Sequence, residues 1–155
     1  MKNRMDVHAG KKARDVMPHL VAHLVVKNAA DAIAFYERAF GAERVECVSC
    51  YGRIGKAELR IAGARVRLTD EFPETGLLSP ESVGGTPARV MLRVPEARRV
   101  VGKAVATGAK LRTPMTGARA GRLEDPFGHI WDIAPLRRKR GGSPSKRKGS
   151  PRSGR

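Results

Sequence analysis

VVKNAADAIAFYERAFGAE, residues 25–43, is the stretch on which the fold turns. The valines close an extended run. Asn28 then stands where a helix N-cap belongs, its side-chain oxygen suited to an unpaired amide of the first turn. Asp31, three residues on, makes a loose capping box. Ala29, Ile33, Tyr36 and Phe40 recur at helical spacing on one face. Gly41 supplies the left-handed residue that ends a helix. A helix is therefore expected over 29–40. Upstream, HLVAHLVV (19–26) reads as a strand. Downstream, ERVECVSC (43–50), GKAELRIA (55–62) and ARVRLTD (64–70) read as three short strands, with Gly52, Gly55 and Gly63 marking turns.

The same order then begins again. A polar connection rich in Gly and Pro, residues 71–87, leads to ARVMLRV (88–94), a strand. Pro95 and Glu96 open a second helix, since proline fits a first turn. It is expected over 96–107, with Ala97, Val101, Ala104 and Val105 as its buried stripe and Gly108 as its stop. Residues 111–115, 120–126 and 129–135 supply further strands. Val26 corresponds to Val94 and Gly41 to Gly108, which is the mark of an internal repeat. Each half offers one helix and one sheet with an apolar face, so neither buries its core alone. The expected organisation is an N-terminal extension (1–16), one α+β domain (17–136) and a basic tail (137–155). The domain divides into modules at about 17–72 and 87–136.

Charge separates the tail from the domain. The net charge is +16, yet residues 18–136 hold 17 basic and 13 acidic side chains. Residues 137–155 carry nine Lys and Arg and no acid, with almost nothing apolar, a composition expected to be disordered. No apolar run reaches the ~20 residues that cross a bilayer. The basic N-terminus has no hydrophobic stretch behind it, so a secretory signal is not expected and the reading is cytoplasmic. Cys47 and Cys50 are too few for a disulfide scaffold. Their Cys-x-x-Cys spacing falls in a strand rather than at a helix start, so reduced thiols are expected.

Three segments together resemble the vicinal-oxygen-chelate superfamily (glyoxalase, bleomycin resistance and extradiol dioxygenase proteins), and within it the PhnB-like branch. They are residues 25–43, GKAELRIAGARVRLTDEFPE (55–74) and the closing AGRLEDPFGHIWDI (120–133). The resemblance spans about 17–135. It implies paired βαβββ modules whose curved sheets enclose a cavity. In many members a divalent metal sits there, held by side chains of both modules, and polarises vicinal oxygens of a substrate. Independently of it, Asp125-Pro126-Phe127-Gly128 is turn chemistry, with the last strand alternating behind it.

The resemblance implies one metal ligand on the first and last strand of each module. Counted back from the helix starts, the first-strand positions fall on Val21 and Arg89, and the last-strand positions fall on Arg67 and Asp132. Of these only Asp132 can coordinate, since valine has no donor atom and arginine stays protonated. His19 and His23 flank Val21 on the same strand face, so a shifted divalent-metal site of His19, His23 and Asp132 is one reading. Lys56 stands where the branch often has histidine. The branch's aromatic-Gly-Asp-Arg segment is missing before the closing signature.

Three function classes follow. One is a binding protein for a small anionic or oxygenated molecule, with a degraded metal site. Arg67, Arg89 and Asp132 would face the ligand, with Trp131 and His129 at the cavity. In a blander variant Arg67 pairs with Asp132 and Arg89 reaches solvent. The second is a metal-dependent lyase, isomerase or dioxygenase. The third is a nucleic-acid-associated protein acting through Arg137, Arg138, Lys139, Arg140, Lys146, Arg147 and Lys148, which would displace counterions from phosphates. A homodimer is expected, because small curved sheets leave apolar edges that a second chain covers. No membrane partner is expected.

Overall fold

The computed structural model describes residues 20–136. The expectations placed on His19, the N-terminal extension and the basic tail from Arg137 onward lie outside the described residues. The first module runs β1 (Ala22–Val26), α1 (Ala29–Phe40), β2 (Glu43–Cys50), β3 (Arg53–Ile61) and β4 (Ala64–Asp70). After a linker come β5 (Arg89–Val94), α3 (Ala97–Thr107), β6 (Lys110–Thr113), β7 (Gly121–Glu124) and β8 (Ile130–Pro135). The sheets have strand orders β1-β4-β3-β2 and β5-β8-β7-β6, so the topology repeats strand for strand. In each, the first and last strands pair in parallel and the rest are antiparallel. The fold is thus α+β, built from two βαβββ modules.

Local chemistry accounts for the elements. Asn28 accepts the amide of Asp31 at 3.0 Å, and Gly41 ends α1 at φ 65°. A second anchor was not read from the sequence. Asp70, at the end of β4, accepts the amides of Ala29 and Ile54, each at 2.6 Å, tying α1 and β3 to one buried carboxylate. Two details differ from expectation. Val105 is exposed, so the buried stripe of α3 is Ala97 and Ala104 with Val101 partly covered. The linker carries a 3-10 turn (Pro73–Thr75) and a one-turn helix, α2 (Pro80–Val83), where only polar connection was expected. Ser79 caps α2, and Glu71 accepts hydrogen bonds from the Ser79 amide and hydroxyl and from the Ser82 hydroxyl.

The two modules meet through aromatics. Helices α1 and α3 touch. Tyr36 and Phe40 of α1 pack on Trp131 of β8, with centroids 5.5 and 4.7 Å away, and Phe127 closes over Phe35. Asp125 sits in the middle and is 3% exposed. It accepts the Tyr36 hydroxyl at 2.5 Å, the Trp131 indole at 2.9 Å, and the amides of Phe127 and His129 at 2.9 Å each. Burial, then the Asp125 charge, hold the Tyr36 phenol well above its ordinary pKa. The His129 ring lies 2.9 Å from the carbonyl of Val25; its Nε2–H donates there and covers the outer edge of β1.

Candidate functional site: the uncovered faces of the sheets

Alternation along each strand decides what faces outward. In β4, Val66 and Leu68 are buried on the helix side, so the exposed Arg67 lies on the opposite face of sheet one. Its cross-strand neighbours are His23 on β1 and Glu58 on β3. Partial desolvation, then the Arg67 charge, push the His23 imidazole below its ordinary pKa. Among the described residues Arg67 forms no ion pair.

On sheet two the uncovered face carries Arg89, Met91, Arg93, Arg122, Glu124, Ile130 and Asp132. Asp132 is buried, yet its carboxylate binds two guanidinium groups: Arg122 Nε at 2.9 Å and Arg89 Nη1 at 3.5 Å. The Arg67–Asp132 pair of the alternative reading is not formed; Arg122 and Arg89 bind Asp132 instead. Arg122 was legible in principle, because a turn centred on 126–128 sets it directly opposite Asp132. Along the neighbouring row, Glu124 faces Lys110 across β6 and is bound by Arg112. The face therefore gathers four cations around two carboxylates.

A cleft of about 720 Å³ opens at the end of this face. Lys110, Arg112, Glu124 and Ile130 line it from the sheet, and Pro80, Glu81 and the Gly84–Gly85–Thr86 turn line it from the linker. A smaller cleft of about 280 Å³ lies at the seam between the modules, between β1 and β5 and against the same linker. His23, Val25, Val90 and His129 contribute to its walls. Trp131, expected at the cavity, is 1% exposed on the helix side of β8 and packs the core. It cannot stack on a ligand there.

Among the described residues the donor set does not fit a divalent-metal centre. Among the described residues no three His, Cys, Asp or Glu side chains come together as ligands. His23 lies on sheet one beside Arg67, while Asp132 lies on sheet two and is already bound by two arginines. Cys47 and Cys50 are free thiols, exposed on β2. No helix among the described residues is long and apolar enough to cross a membrane.

A strand–helix–three-strand unit used twice, with each sheet helix-covered on one face and bare on the other, defines the paired-module class. The chain belongs to the Glyoxalase/Bleomycin resistance protein/Dioxygenase superfamily, whose sequence profile matches residues 16–133. It is 40% identical over 136 residues to an uncharacterised Mycobacterium bovis protein, Mb0911c, covering 81% of this chain and 88% of that one. Among solved structures it is similar to a gene product of Arabidopsis thaliana (28% identity, TM-score 0.61, 77% of this chain and 99% of that one). It also shares its fold with the Listeria monocytogenes fosfomycin resistance protein FosX, solved with Mn(II) and sulfate (16% identity, TM-score 0.57, 77% and 90% covered).

Proposed function

We propose that this chain is a binding member of its superfamily. It takes a small anionic, oxygen-bearing molecule on the uncovered face of sheet two and its adjoining cleft, through cations rather than through a metal. The observation that carries this reading is the arrangement around Asp132. One carboxylate is shared by two arginines, leaving positive charge in excess at the strand position where the family resemblance implies a metal ligand. Arg89 and Arg122 remain 51% and 39% exposed at their side chains, so guanidinium N–H groups stay free for a ligand. Arginine suits a carboxylate or phosphate because its forked donors engage two oxygens at once. In the adjoining cleft Lys110 supplies a cation that forms no ion pair among the described residues, while Arg112 is bound to Glu124. A second copy of the chain is part of the proposal: the assembly is a homodimer.

The test is thermal unfolding of the full chain with added phosphate, sulfate or malonate. Binding to the native state raises the Tm with anion concentration. The rise is expected to exceed that from chloride at equal ionic strength and to vanish in Arg89→Ala/Arg122→Ala. No rise with any of the three anions, or a rise undiminished in the double variant, would defeat the reading. Mn(II) alone is expected to leave the Tm unchanged; a saturable rise would favour metal-dependent chemistry instead.

A further inference from the structure

The two clefts are one site with two chemistries. Both are lined by Pro80, Gly85, Thr86 and Ile130, so they adjoin across the linker. The larger has Lys110 and Arg112 in its walls, together with Glu81, Glu124 and Asp125, whose carboxylate is already filled by four hydrogen bonds. No Lys, Arg, Asp or Glu lines the smaller one. Its walls are chiefly Leu24, Val25, Leu78, Val83 and Val90, and its polar side chains are His23, Thr86 and His129. Of these, His129 already spends Nε2 on the Val25 carbonyl. A charged group entering this smaller space would lose water and gain no counter-charge, which is costly. An apolar group would gain, because Val83 and Leu78 are 60% and 41% exposed in the free chain and a ligand would cover them.

Resting on the anion-binding reading above, we infer that the ligand is an amphiphilic anion. Its carboxylate or phosphate lies toward Lys110, which forms no ion pair among the described residues, and its ring or short aliphatic chain lies in the seam between β1, β5 and the linker. The seam cleft, at about 280 Å³, exceeds the ~150 Å³ apolar cavity that accommodates benzene. It is therefore sized for one ring or a short chain, not for a large polycyclic molecule. Ile130 and the Gly85–Thr86 turn, common to both spaces, would contact the join between head and apolar part.

The experiment is calorimetric titration of the full chain with acetate, butyrate and hexanoate at fixed ionic strength, and with 1-hexanol. A fully buried methylene is worth about fourfold in affinity. In a cleft open on one side, hexanoate is expected to bind about tenfold or more tighter than acetate. Leu78→Ser/Val83→Ser removes two partly exposed apolar walls and is expected to bring hexanoate within about twofold of acetate. Equal affinity for acetate and hexanoate would overturn the inference while leaving the anion reading standing. A chain-length gain that persists in the double variant would overturn the placement in the seam. Binding of 1-hexanol with none of any carboxylate would overturn the anionic head, and with it the reading on which the inference rests.

Discussion

Asp125 shows how one residue can serve a turn and an interface together. Its four hydrogen bonds satisfy both oxygens, so a buried charge is tolerated. In the sequence only the turn is visible: Asp-Pro-Phe-Gly reads as a reversal. The Tyr36 hydroxyl that completes the set is 89 residues away, beyond the reach of any local pattern. Tyr36→Phe is expected to lower unfolding free energy by about 1–3 kcal/mol, because it leaves a buried carboxylate short of one donor. Matched denaturant midpoints for variant and parent would contradict this. The arginines were legible only in part. Counting along strands found Arg67 and Arg89, but their partners are set by register, and register put Arg122, not Arg67, opposite Asp132.

At the scale of elements, long periodic segments were read well and short ones were not. Helix α1 begins and ends where the Asn28 and Gly41 signals put it, and the hairpins turn at Gly52 and Gly63, but Gly55, expected at a turn, lies inside β3. Helix α2 escaped because one turn is too short to show a period, although Ser79, Pro80 and Gly84 cap and start it locally, and Glu71 adds a hold from outside the turn. Hydrogen bonds from Ser79 and Ser82 hold the Glu71 carboxyl below its ordinary pKa. A carboxylate whose folded pKa is depressed stabilises above its unfolded value, and that contribution is lost as pH falls through the folded one. The linker should accordingly loosen on acidification below the ordinary value of 4.5, and in Glu71→Gln at neutral pH. Faster amide exchange at Ser82, Val83 and Gly85, with global stability little changed, is the expected readout. Unaltered exchange in the variant would show that something else fixes the wall shared by both clefts.

The whole molecule leaves much of its sheet surface bare. All eight residues of β2, an edge strand, are exposed, Val45 and Val48 among them, and so are Met91 and Leu111 on the edge strands of sheet two. Open edges with apolar side chains invite pairing, and the proposed homodimer answers that. Light scattering at micromolar concentration is expected to return twice the chain mass, shifting toward the monomer in Val48→Lys. Monomer mass for the parent would remove the dimer from the proposal. The junction between modules has a further consequence. Although the strands repeat, the clasp is one-way: the first module brings the phenol, the second brings the carboxylate and the indole. The corresponding turn of the first module is Ala62-Gly63, with no acid to offer. Two copies of either half could not rebuild the clasp, so the halves are no longer interchangeable. Severed at the linker, they should recombine only as the unlike pair, which makes the chain a natural starting point for a split reporter with built-in polarity.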